Sequence, residues 1–191
     1  QAIATAKRLG SIVFATDVRP AAKEQVESLG GKFLAVEDEE FREAESSGGY
    51  AKQMSAGYLK KQAALVSETI KNQDIVITTA LIPGKPAPKL VSSKMVESMK
   101  SGSVIVDLAA VSGGNCELTV KDKIVDKSGV KIIGYSNFPS RLASDSSRLY
   151  SRNLFSFLEN LFDKENSKVN FNLEDEIIKD TLLTHNGKVL R

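Results

Sequence analysis

Cysteine and histidine are nearly missing from these 191 residues: Cys116 and His185 are the single members of their kinds, and tryptophan is absent altogether. One cysteine excludes an internal disulfide and permits a reducing compartment. The lone histidine lies in the polar segment THNGKV, which argues against a His-based metal site or catalytic triad and leaves Cys116 without a base to activate it. Net charge is scarce too. A formal +2 is too small to draw in nucleic acid or a membrane surface. No apolar run approaches the roughly 18–20 residues that a bilayer span requires. The opening QAIATAKRLG lacks the apolar core and cleavage site of a signal peptide. The cytoplasm, or an equivalent compartment, is the expected location.

What remains is an ordinary globular composition, 41% apolar and 26% charged, in a length that suits one domain or one domain with part of another. Helical and strand-like segments alternate, which predicts an α/β fold of the doubly wound, parallel-sheet kind. QAIATAKRLG reads as a helix and SIVFATD as a strand ending on Asp17. That order is the second half of a dinucleotide-binding unit, so its first strand and glycine-rich phosphate turn are expected upstream of Gln1. RPAAKEQVESLGG then reads as a helix stopped at Gly30, and KFLAV as a short strand. The next stretch, EDEEFREAESSGGYAKQMSAG, carries six acids and little apolar content, and is read as a long exposed loop. Tyr58–Asn72 follows as an amphipathic helix, Asp74–Ala80 as an apolar buried strand, SKMVESMKSG as a helix capped by Ser92 or Ser93, and SVIVDLA and VKIIGY as two further strands. A long helix is expected from Ala143 to Phe162, and Asn186-Gly187 as a hairpin turn. The domain boundary is placed near Ser140: residues 1–140 form the nucleotide-binding domain, and residues 141–191 a helix and tail crossing to a second α/β domain.

Ligands of open parallel sheets bind beyond the carboxyl ends of the strands. Four segments here follow such ends: Asp17-Val18-Arg19, Gly48-Gly49-Tyr50, Ala80-Leu81-Ile82-Pro83, and Asp107 onward through Gly113-Gly114-Asn115. Asp17 either caps the following helix or accepts hydrogen bonds from adenosine ribose hydroxyls; the helix and strand before it favour the ribose. An acid there repels a 2′-phosphate and selects NAD over NADP. Arg19 lines the adenine face in one reading and is a solvated cation in the other. The acidic loop is a solvated segment or a lid, with Tyr50 and Met54 as the residues that would close over a cofactor. LIPGKPAP, with three of the five prolines, is a stiff crossover or a wall for the nicotinamide half through Leu81. Gly113 and Gly114 allow close backbone approach, Asn115 offers an amide, and Gln62 reaches the cofactor or faces solvent.

IATAKRLGSIVFATDVRP, GGYAKQM, TTALIPGKPAPKLV, GSVIVDLAA followed by GGNCE, and GYSNFPSRLASDSSRLYSRNL together resemble the NAD(H)-binding component of proton-translocating nicotinamide nucleotide transhydrogenases. The resemblance covers nearly the whole chain to Phe162. It implies a dimeric component with two Rossmann-type domains, docked on a separate NADP(H)-binding component. Hydride then passes directly between the two nicotinamides, and a membrane component couples the transfer to proton translocation. It places Asp17, Val18 and Arg19 on the adenosine-binding turn, Gly49 and Tyr50 on the mobile loop, and Gln62, Ala80 and Leu81 on further cofactor contacts. No residue is implied as a proton-transfer catalyst and no metal is called for.

Two other readings share features of this sequence. Alanine dehydrogenases share the architecture, but their D-Q-G-G loop carries an acid for the amino-acid chemistry, whereas Val111 stands there in this chain. A side chain without a titratable group moves no proton. The second rival is a nucleotide-binding regulatory module without turnover, which only an activity measurement separates.

Overall fold

Short parallel strands separated by helices make up the first half of the chain. The computed structural model describes residues 1–44, 54–82 and 84–190, which divide into two units, Gln1–Ser136 and Asn137–Arg191. In the first unit, α1 (Ala2–Arg8) leads to β1 (Phe14–Ala15), and α2 (Ala21–Ser28) to β2 (Lys32–Phe33). Both helices end the same way. Gly10 and Gly30 take left-handed φ values of 86° and 77°, while the next amide closes back on the last turn, Ser11 N–H on Ala6 O and Gly31 N–H on Val26 O, each at 3.0 Å. This glycine-terminated stop releases the chain directly into the next strand. β1 and β2 pair in parallel, with Phe14 opposite Lys32 and Ala15 opposite Phe33.

The acidic stretch differs from the expected open loop. Asp38 caps a short helix, α3 (Glu39–Arg42), by accepting the Phe41 amide at 3.2 Å. Phe41, Ala44, Met54 and Tyr58 then form a buried cluster, with Val18 and Phe33 packed against it. The acids hide the pattern: one phenylalanine per turn suffices to bury a helix whose other positions face water. Met54 belongs to this core and not to an exposed closing surface. Ser55 caps α4 (Ala56–Ile70) through the Tyr58 amide, and its hydroxyl also donates to Glu40 at 2.6 Å.

β3 (Ile75–Thr78), β4 (Val104–Asp107), β5 (Ile124–Lys127) and β6 (Val130–Ile133) form a sheet in the order β3-β4-β6-β5. β3, β4 and β6 run parallel, and β5 turns back antiparallel on β6. The sequence pattern does not reveal β5. Its link to β6 is the pair Ser128-Gly129, both at positive φ, with Asp126 accepting the Gly129 amide at 3.0 Å; this is the backbone that a tight hairpin requires. Beneath the sheet, α5 (Ser93–Glu97), capped by Ser92, places Met95 and Val96 against Ile105, Val130, Ile132 and Cys116. Thr78 is buried, but Ile75 and Ile77 on β3 are exposed, unlike the fully buried strand expected there. Ile75 and Ile77 share the face of β3 opposite Val76, which packs on the core, and that face lacks cover among the described residues.

In the second unit α6 (Ala143–Leu161) is followed by the antiparallel pair β7 (Phe162–Asp163) and β8 (Lys168–Val169). Then come α7 (Glu176–Thr181) and a hairpin of β9 (Thr184–His185) and β10 (Lys188–Val189). The hairpin turns through Asn186 and Gly187, both at positive φ, as the dipeptide predicts. Among the described residues no helix is long and apolar enough to cross a membrane, and no group of acids, cysteine or histidine could hold a metal ion.

Candidate functional site

Asp17 lies two residues past the end of β1, where the chain leaves the sheet. Its carboxylate is partly exposed and is held by its own loop. The Arg19 amide and Nε donate to Oδ1 at 2.9 and 3.0 Å, and Arg19 Nη2 donates to Oδ2 at 2.8 Å. Burial pushes the carboxyl pKa up. The Arg19 side-chain and backbone hydrogen bonds, aided by its charge, outweigh that and hold Asp17 below the usual carboxylate value. Asp17 is therefore an anion at neutral pH, with the fork of Arg19 aligned on it. Val18, between them, is partly buried against the Phe41 cluster, which anchors the turn.

Gln62 neither faces solvent nor presents a free amide. It is buried, its Oε1 accepting the Val36 amide at 2.9 Å and its Nε2 donating to Thr16 Oγ1 at 2.8 Å and Leu34 O at 3.1 Å. One side chain on α4 thus ties together the chain leaving β1 and the chain leaving β2, one residue before Asp17. A glutamine on the buried side of an amphipathic helix is the signal that a polar partner is needed inside.

A second construction sits at the ends of β3 and β4. Asp107, fully buried, accepts the amides of Ala109 at 3.0 Å and Cys116 at 3.0 Å and the Thr119 hydroxyl at 2.6 Å. Desolvation pushes its pKa up, but these donors reverse the sign and keep it below the usual value. Gly114 allows this approach: a Cβ there would lie 2.7 Å from Asp107 Oδ2 and 2.7 Å from Thr119 Cβ, at a φ of +79°. Gly114 thus makes room for a protein side chain. Gly113, also left-handed, faces open space.

Asn115 is likewise committed to the protein and offers no amide to a ligand. Its Oδ1 accepts the Ala80 amide at 3.0 Å, and its Nδ2 donates to Ala80 O at 2.9 Å and Pro88 O at 2.8 Å. Both backbone groups of Ala80 are engaged by Asn115, and its methyl group remains as an apolar contact. Leu81 and Ile82, just beyond, are exposed, as is Val111 across the loop. Lys89 locks the same region by donating to Gly113 O at 2.6 Å and Gly114 O at 2.9 Å. Burial pushes the Cys116 thiol up, away from thiolate chemistry.

Of the expected site residues, Asp17, Val18 and Arg19 form one turn, which Gln62 supports through Thr16. Ala80 and Leu81 form another, which Asn115 fixes. No hydrogen bond joins the two groups among the described residues; they share placement at strand carboxyl ends. Gly49 and Tyr50 lie outside the described residues. Asp17 offers acceptors to a ligand's hydroxyl groups. An acceptor-only anion matches two hydroxyl donors and opposes a phosphate, and exposed Leu81 and Ile82 offer an apolar surface without proton-transfer groups. Thr78, buried opposite Asp107 in the β3–β4 register, helps to hold the Asp107 pKa down, although its hydroxyl makes no hydrogen bond of ordinary geometry among the described residues.

The model of the alanine dehydrogenase/PNT C-terminal domain family matches residues 1–191. An NAD(P) transhydrogenase subunit alpha polypeptide of Rhodospirillum rubrum is 55% identical over 190 residues, covering 100% of this chain and 50% of that protein. The crystal structure of transhydrogenase from Sinorhizobium meliloti superposes with a TM-score of 0.79 at 52% identity, over 100% of this chain and 49% of that one. Alanine dehydrogenase 1 of Staphylococcus aureus is 36% identical over 103 residues, covering 52% of this chain and 28% of that protein. The chain spans about half the length of the Rhodospirillum relative it matches. The transhydrogenase resemblance read from the motifs is borne out over the full chain, and the Rossmann-like α/β fold with it.

Proposed function

Because the chain belongs to the alanine dehydrogenase/PNT C-terminal domain family, we propose that it is the NAD(H)-binding part of a transhydrogenase component. Hydride passes directly between NAD(H) on this chain and NADP(H) on a partner component, and a membrane component couples the transfer to proton translocation. The polypeptide acts as a homodimer on the cytoplasmic, or matrix-equivalent, side. The observation that carries this reading is the ionised, partly exposed Asp17 just past the end of β1, the place where dinucleotide-binding units carry the acid that takes the ribose hydroxyls.

The nicotinamide supplies the hydride chemistry when bound, and a hydride carries its own electrons, so no general base is needed on the protein. This chain's residues bind and orient. Asp17 accepts from the ribose, Val18 seats the turn, and Leu81, with the Ala80 methyl, forms an apolar wall held in place by Asn115. Gly49 and Tyr50 belong to the loop assigned to closing the site and excluding water. Gln62 acts through Thr16 on the Asp17 turn. Aligning two reactants in this way contributes several kcal/mol to a bimolecular step, on the order of 7 or more in well-oriented cases.

The test mixes the intact polypeptide with an NADP(H)-binding transhydrogenase component, NADH and an NADP analogue. Hydride exchange is expected in the mixture and in neither protein alone. No exchange between two folded, nucleotide-loaded components would overturn the assignment, and so would NAD reduction by alanine at an ordinary dehydrogenase rate.

A further inference from the structure

Lys89 closes a small site of its own where the segments after β3 and β4 meet. Its ammonium donates to three backbone carbonyls, Gly113 O at 2.6 Å, Gly114 O at 2.9 Å and Cys116 O at 3.4 Å. An ammonium has three donors and no acceptor, so a set of three oxygens matches it. Gly113 and Gly114 are both left-handed, with φ of 96° and 79°, and neither carbonyl accepts a backbone amide among the described residues. Glu117 lies close by; the Ser93 amide and hydroxyl, and then the Lys89 charge, hold its carboxyl below the usual value. Other ties join the same two segments: the Ala87 amide donates to Ser112 O at 2.8 Å, and the Leu90 and Val91 amides to Asn115 O at 2.8 and 3.1 Å. Among these ties the ammonium is the charged one. It grips the glycine pair directly after the 3-10 turn Ala110–Ser112, which carries Val111. Leu81 and Val111, both exposed, stand on the two segments so joined.

We propose that Lys89 is a positioning residue: its ammonium fills a carbonyl-lined cation site and fixes the loop after β4 against the segment after β3, which sets the apolar surface of Leu81 and Val111 that meets the nicotinamide. The inference rests on the NAD(H) reading of this site and deepens it. Lys89 touches no cofactor in this role and moves no proton; it acts through the backbone it holds. Hydride transfer depends steeply on the alignment of the two rings. NADH affinity draws also on the adenosine end at Asp17, outside the reach of Lys89. Loss of the ammonium therefore slows exchange more than it weakens binding. Because the site is built from carbonyl oxygens, a small free cation with N–H donors replaces the side chain once it is cut away.

The experiment uses the intact polypeptide, wild type and Lys89→Ala, alone and mixed with an NADP(H)-binding transhydrogenase component. Ammonium chloride is the probe, and tetramethylammonium chloride at equal concentration supplies the same charge without an N–H donor. Lys89→Ala is expected to lose about tenfold in the rate of hydride exchange at saturating NADH, with NADH affinity within about twofold of wild type. Ammonium is expected to restore most of that rate and to raise the melting temperature of Lys89→Ala by about 3 °C. Tetramethylammonium does neither, and wild type responds to neither salt. An exchange rate equal to wild type in Lys89→Ala, or a loss confined to NADH affinity, would overturn the positioning role. A melting temperature blind to ammonium would overturn the cation site, and that readout stands whether or not exchange occurs. No exchange in wild type would overturn the transhydrogenase reading instead. Lys89→Met keeps the aliphatic stem without the charge; its rate and affinity are read in the same way should Lys89→Ala fail to fold.

Discussion

Asp107→Asn is expected to destabilise the first unit by about 3 kcal/mol, seen as a fall in melting temperature of about 10 °C. The carboxylate is fully buried and accepts from three donors fixed by the loop after β4. An asparagine keeps one acceptor for the Ala109 amide. Its second position, which accepts both the Cys116 amide and the Thr119 hydroxyl, becomes an NH2 group, so Cys116 is left donor against donor and the Thr119 hydroxyl loses its acceptor. Because the folded pKa lies below the ordinary 3.8, Asp107 contributes its stability above that value. The contribution fades as pH falls through the folded value, since protonation costs more in the folded state. Wild type and variant should therefore converge in stability in acid. Equal melting temperatures at neutral pH would show that the network carries no weight.

Asn115→Ala is expected to act on both stability and binding. It strands the Ala80 amide, the Ala80 carbonyl and the Pro88 carbonyl, which the side chain satisfies together. At the lower end of about 1 kcal/mol for each orphaned group, the loss is about 3 kcal/mol. The same bonds fix the segment that carries Leu81 and Ile82, so NADH affinity is expected to fall about tenfold at temperatures where the variant remains folded. Asn115→Asp discriminates further. It keeps the acceptor for the Ala80 amide but sets a carboxylate against two carbonyls, and is expected to be at least as damaging. Calorimetric unfolding and NADH titration on the same samples check both effects; a variant with wild-type affinity would detach Asn115 from the site.

The elements that announce themselves locally are legible in the sequence. α1, α2 and α4 carry helical periodicity with glycine or serine punctuation, α6 carries the periodicity without it, and the Asn186-Gly187 turn follows from the positive φ that both positions require. Asp17 is legible because a strand-end acid has a positional meaning in this fold. Asn115 and Gln62 are not, since their significance comes from backbone partners tens of residues away, such as Ala80, Pro88 and Leu34. Phe41 and Met54 are concealed by acidic and polar neighbours, although Phe41 stacks on Tyr58 with ring centroids 6.4 Å apart. β5 is hidden because Ser128-Gly129 is a weaker hairpin signal than Asn-Gly. Local chemistry thus marks elements and strand ends, while long-range hydrogen bonds decide which polar residues serve the ligand and which serve the fold.

At the centre of the proposed function is a hydrogen bond from the adenosine ribose of NAD(H) to Asp17. The measurement that reaches it most directly titrates the intact polypeptide with NADH and with its 2′-deoxyadenosine analogue, for wild type and Asp17→Ala. Wild type is expected to favour NADH by about tenfold, and the variant to bind both ligands alike, because the hydroxyl and its acceptor form one interaction. Equal binding of the two ligands by wild type would contradict the account.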